Sequence, residues 1–150
     1  MKDYFDAFIH NRALIAAVIG FASAQVVKAL LYLIVNRKFR FERMVGSGGM
    51  PSSHASMVCA FAVATGRVYG LGSFAFAAAC IIAIVVIYDA RGVRLETGKQ
   101  AVTISAILDH LIEEGKMLDI PKMELKELVG HTPFQVFVGS LLGIVIGFLA

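Results

Sequence analysis

Residues 13–35 read ALIAAVIGFASAQVVKALLYLIV and are closed by Asn36-Arg37-Lys38. A helix needs about 20 mostly apolar residues to cross the hydrocarbon core of a bilayer, and this run supplies them with one charged residue, Lys28, inside. Ala22-Ser23-Ala24 has the small-residue character of a signal-peptidase site. The acids Asp3 and Asp6 ahead of the run, and its continuation from Val26 to Val35, favour an uncleaved span.

The rest of the chain agrees. Hydrophobic residues make up 58% of the 150 and charged residues 17%, with a mean hydropathy of +0.76. Average globular chains are about 45–50% apolar and about 25% charged, so this composition cannot cover a water-soluble core. Three further apolar runs are expected as helices. The second follows Pro51 through 55–64 to about residue 69, the third covers 71–87 and the fourth 133–150. All three are short for a full span, which implies a compact bundle or a locally thinned bilayer. The expected fold is all-α: an integral membrane helical bundle of about four transmembrane helices, forming a single domain over residues 1–150.

Between the third and fourth runs, Ala101, Ile104, Leu108 and Leu111 repeat at helical spacing with Ile107 and Ile112 beside them. Asp109, Glu113 and Glu114 occupy the other side. This predicts an amphipathic helix on the membrane face, ended by Gly115. A second short helix is expected over 122–129, after Pro121 and before Gly130.

One short connection at Gly70 fixes which ends meet. The ends of runs one and three, the starts of runs two and four and the polar 89–132 stretch share one face. That face carries ten basic residues, including Arg37, Arg40, Arg43, Arg91, Arg94 and Lys99, against Lys2, Arg12 and Arg67 on the other. Basic residues concentrate on the cytoplasmic side, so this face is expected inside the cell membrane. The net charge of +3 does not point to nucleic acid.

The same face carries a chemical constellation. Gly46-Ser47-Gly48-Gly49-Met50-Pro51-Ser52-Ser53-His54 combines glycines, a proline suited to a first helical position, and helix-start amides that bind anions. His54 is expected about one turn in. Gly130-His131-Thr132-Pro133 places a second histidine where another helix begins, and run three brings Asp89, Arg91 and Arg94 to the same level. In phosphoryl transfer one histidine can attack phosphorus, the other can protonate the leaving oxygen, and arginines can hold the equatorial oxygens.

Pro51-Ser52-Ser53-His54 resembles the Pro-Ser-Gly-His motif of the type 2 phosphatidic acid phosphatase superfamily, which includes the vanadium haloperoxidases. His131-Thr132-Pro133-Phe134-Gln135, followed by Gly139 and Gly143, is similar to its third motif, in which His-x-x-x-Asp opens a glycine-containing helix. Together with Tyr88-Asp89-Ala90-Arg91-Gly92-Val93-Arg94, the pattern resembles the small divergent branch of that superfamily. The resemblance implies hydrolysis of a lipid phosphate monoester or pyrophosphate without a metal or other cofactor. It implies His131 as nucleophile, His54 as general acid, and Ser52, Ser53 and nearby amides such as that of Gly49 as phosphate ligands. Arg91 and Arg94 are candidates for the same anion, and Lys28, Arg40 and Arg43 for the role of the superfamily's first motif.

Three positions depart from the pattern. No Lys-x6-Arg-Pro motif is present. Gln135 stands where an acid orients the nucleophile, and Leu125 stands six residues before His131 where an arginine is usual. A glutamine carbonyl can fix a histidine tautomer but brings no charge. A phosphatase and a non-catalytic lipid-phosphate binding or transport protein therefore both remain open.

Gln25 is expected as interhelical glue. Cys59 and Cys80 lie about 6 Å apart in depth and are not expected to pair. Gly139, Gly143 and Gly147 form a small-residue face that permits close approach within the bundle or to a second copy of the chain.

Overall fold

The computed structural model describes residues 2–37, 49–113 and 131–150, and its described residues are helical apart from caps and short turns. The helices are α1 (Lys2–Ile9), α2 (Arg12–Asn36), α3 (Ser53–Tyr69), α4 (Phe74–Arg91), α5 (Val93–Glu113) and α6 (Pro133–Leu149). Hydropathy does not foresee α1, which is short and carries Asp3 and Asp6.

Side-chain caps set several of the boundaries. Asn11 accepts from the Leu14 amide at 3.1 Å to start α2, and Ser73 accepts from Phe76 at 3.1 Å to start α4. Because Ser73 caps, the third helix begins three residues later than expected, and it runs on to Arg91 rather than ending at 87. The amphipathic helix also starts earlier than its apolar stripe indicates. Only Gly92 separates α5 from α4. Gly115 and the expected helix over 122–129 lie outside the described residues.

α3 is the central helix, packed by α2, α4 and α6. Along one side α2 runs antiparallel to it, so that Ala13 and Ala16 join Ala60, Ala64 and Ile146 in one buried cluster. On another side α6 runs parallel to it. A Cβ on Gly139 would strike the Ser52 backbone, one on Gly143 the Ser56 carbonyl, and one on Gly147 would meet Val63 Cβ at 2.7 Å. The glycine face is thus taken up by α3 within the chain. Gly20 lets α2 approach equally closely, and Ser56 Oγ donates to the Gly20 carbonyl at 2.8 Å.

The core consists mainly of alanine and glycine, while large apolar side chains such as Ile19, Ile34, Ile81, Ile84, Phe137 and Leu141 point outward. This is the opposite of a water-soluble domain and matches helix packing in lipid, where small residues bring backbones together. Among the described residues, two runs are long and apolar enough to cross a membrane, Arg12–Asn36 and Phe74–Glu113, the second taken across Gly92. α3 and α6, at 17 residues each, reach only about 25 Å at 1.5 Å per residue. The expectation of four spans is therefore met at two of its four positions by length. Cys59 and Cys80 are free thiols.

Candidate functional site: paired histidines at two parallel helix starts

The parallel pairing of α3 and α6 brings their N-terminal ends side by side. Ser52 caps α3, with its hydroxyl oxygen accepting from the Ala55 amide at 3.4 Å, and its own amide donates to the Gln135 carbonyl at 3.0 Å. Pro51 therefore precedes the cap instead of occupying the first helical position. Ser52 takes the N-cap, a position serine favours, and Ser53 becomes the first helical residue. His54 becomes the second residue of α3, nearer the helix start than the expected full turn. Ser52 and Ser53 are both buried. Gly49 has φ +82°, a left-handed conformation that favours glycine.

His131 is almost fully buried, at 2% exposure. Its amide donates to the carbonyl of Ala90 near the end of α4 at 3.1 Å. Its ring lies 6.0 Å from that of His54, centroid to centroid, in an edge-on arrangement at 62°. His131 Nδ1 is 3.3 Å from Gln135 Oε1, and that oxygen also accepts from the Thr132 amide at 3.2 Å. An amide N–H demands an acceptor, so the Thr132 contact fixes which end of the Gln135 side chain faces the histidine. The contact favours a proton on Nδ1, which leaves the Nε2 lone pair available.

Lys28, at 5% exposure, donates to Gln25 Oε1 at 2.7 Å. Gln25 thus serves a partner one turn away on its own helix instead of joining two helices. A Cβ on Gly49 would lie 3.5 Å from the Lys28 side chain, so the cation stands beside the loop that leads into α3. Burial pushes the His131 imidazole below its ordinary value of 6.5, and the positive charges of Lys28 and His54 push the same way. Hydrogen bonds to Gln135 and to the Gly49 backbone oppose them. The net direction favours a neutral His131, the form that can attack an electrophile.

His131, His54, Gln135, Ser52, Ser53, Gly49 and Lys28 are brought together at this end of the bundle. Arg91 follows the Ala90 contact in sequence, but its side chain is exposed. Arg94 lies in α5, with its side chain outside the described set, and Arg40 and Arg43 lie outside the described residues. Sequence reasoning missed the Ala90 carbonyl that anchors His131 and the pairing of Gln25 with Lys28. The i, i+3 spacing of the latter pair is the one signal that could have shown it.

An apolar helical bundle that sets a buried His131 beside a half-buried His54 at the starts of two parallel helices is the arrangement that the resemblance to the type 2 phosphatidic acid phosphatases implies. The chain matches the model of the divergent PAP2 family over residues 9–146 and belongs to that family. It is 36% identical over 146 residues to the uncharacterized membrane protein YuiD of Bacillus subtilis (strain 168), a match covering 91% of each chain. No solved structure matches it.

Proposed function

We propose that this protein is a membrane phosphatase that hydrolyses a lipid phosphate monoester or pyrophosphate through a phosphohistidine. The observation that carries the reading is the 6.0 Å pairing of the His54 and His131 rings. A phosphorus about 3–3.5 Å from an attacking nitrogen, with its leaving oxygen about 2.6–3.2 Å from an acid, separates the two nitrogens by about 7 Å once the P–O bond is included, a span that imidazoles with these centroids can reach. His131 Nε2 attacks phosphorus and the ester P–O bond breaks, with the leaving oxygen taking a proton from His54. Water then gives a proton back to His54 and attacks phosphorus. The P–N bond breaks, releasing phosphate and restoring the lone pair. Lys28 and the amides around Gly49, Ser52 and Ser53 hold the phosphoryl charge.

Gln135 favours a second reading, a lipid-phosphate binder or transporter on the same scaffold, because it orients His131 without adding a negative charge. Phosphate release from a panel of lipid phosphates separates the two. Turnover by the wild type that is lost in His131→Ala and His54→Ala supports the phosphatase. Binding that is lost in His131→Ala, with no turnover by any form, supports the binder.

The membrane arrangement proposed with this function has α2, α3, α4 and α6 all crossing a thinned bilayer, with the histidine pair on the cytoplasmic side. The excess of basic residues on that face supports it. Cysteines placed at positions 43 and 122 in a cysteine-free background should label only in opened vesicles. Labelling in intact cells places the site outside.

A further inference from the structure

The buried stripe of α2 changes character along its length. From Ala13 to Ala24 it is alanine and glycine, and it then passes to Gln25 and Lys28. The small residues let α2 rest on α3, with Gly20 against Ser56. Because the two helices are antiparallel, the stripe turns polar only at the level where α3 begins, with Lys28 beside Gly49. Polar groups buried on a helix apolar enough to cross a membrane are costly unless they serve a partner or a ligand. The Lys28 ammonium donates to Gln25 Oε1 at 2.7 Å, three residues back on the same helix. An ammonium only donates, so the contact fixes the oxygen end of the carboxamide toward the lysine. A lysine stem is flexible, and an acceptor one turn away restricts it. The carboxamide does this without adding a negative charge, as Gln135 does for His131. A glutamate at position 25 would hold the lysine equally well and offset part of its charge.

From this arrangement we infer that Gln25 is a positioning residue of the phosphoryl site: it holds the Lys28 ammonium at the Gly49 loop without adding a charge that would compete with the incoming anion. The inference rests on the anion-binding reading of the site and adds to it the residue that sets where α2 delivers its cation. Gln25 acts through Lys28, so its effect on the anion should vanish when Lys28 is removed. The pair also bears on His131, because the charge of Lys28 acts on that imidazole. Among the described residues His54, on α3, is the other charge that does so, while α4 meets His131 with the uncharged Ala90 carbonyl.

The test is a double-mutant cycle on the binding of inorganic phosphate to the full chain in nanodiscs, with the His131 imidazole titration followed by NMR in the same samples. Gln25→Met keeps the volume of the side chain, removes the acceptor, and should weaken phosphate by about 3–10-fold. In a Lys28→Met background the same change should have no effect. Gln25→Glu keeps the hold but adds a charge, and should weaken phosphate by about tenfold and move the His131 midpoint upward, because it offsets the Lys28 charge. A merely structural glutamine would leave that midpoint in place. Equal effects of Gln25→Met with and without Lys28, or a midpoint unmoved by Gln25→Glu, overturn the inference. If Gln25→Met does not fold, the titration of Gln25→Glu decides alone. Coupling between the two residues in a protein that releases no phosphate from any lipid keeps Gln25 and removes the phosphatase. Turnover without coupling does the reverse.

Discussion

Gln135 Oε1 is shared between His131 Nδ1, at 3.3 Å, and the Thr132 amide, at 3.2 Å. The residue that orients the candidate nucleophile is thus also one half of the capping box that starts α6. The orientation of His131 and one half of the helix cap depend on one oxygen atom.

Replacing it separates the two duties. Gln135→Leu removes both contacts and should cost about 1 kcal/mol of stability from the cap, together with most of the turnover. Gln135→Asp adds a charge behind the imidazole and should raise kcat, at least for the phosphohistidine-forming step, because a carboxylate stabilises the imidazolium. Single-turnover phosphate release alongside thermal unfolding reads both effects. An Asp variant no faster than wild type removes the charge argument.

Loss of the acid should be graded. His54→Ala is expected to lower kcat by about 10²–10⁴-fold for substrates with alkoxide leaving groups. The loss should be much smaller for nitrophenyl phosphate, whose leaving oxygen needs no proton. Equal losses on both substrates would place His54 in binding, not in proton transfer.

The depressed His131 titration has a definite sign. The folded protein binds fewer protons at this site than the unfolded chain does, so the stability it contributes is complete above pH 6.5 and falls as the pH drops below that value. Unfolding temperatures measured from pH 8 to pH 5 should decline below about pH 6.5, and the decline should flatten in His131→Asn. Because Lys28 is one of the charges holding the titration down, Lys28→Met should move the acidic limb of the kcat/KM profile to higher pH. An unmoved limb would mean that the Lys28 charge does not act on His131.

The parallel contact of α3 and α6 is tested by volume. Gly143→Ala drives a methyl group into the Ser56 carbonyl, and overpacking of this kind costs about 1–3 kcal/mol. Gly72→Ala, in open space, should be neutral by comparison. A Gly143→Ala protein as stable as wild type, with unchanged turnover, would show that the two helices can separate freely.

Much of this architecture is written in local patterns. The pairing of His131 with Gln135 follows from a four-residue spacing across a Pro133 helix start, and the outward apolar faces follow from composition. Boundaries were less legible where a serine cap starts the helix later than the apolar pattern does, as Ser52 put Pro51 ahead of α3 and Ser73 shortened the third helix at its start. Lys28 could be recognised as an intramembrane charge, yet its place beside Gly49 depends on α2 folding back antiparallel to α3, which no local spacing encodes. The Ala90 contact is less visible still, since a backbone carbonyl leaves no signature in the identity of its side chain.

The glycine row that joins α6 to α3 has a consequence for how the protein can change. The gap between the two histidines is set where main chain rests on main chain, at Ser52 against Gly139 and Ser56 against Gly143, with no adjustable side chain between. Substitutions on the lipid-facing surface do not reach that contact. The outer surface is free to drift toward membranes of different lipid content while the spacing of the histidine pair stays where the backbones put it.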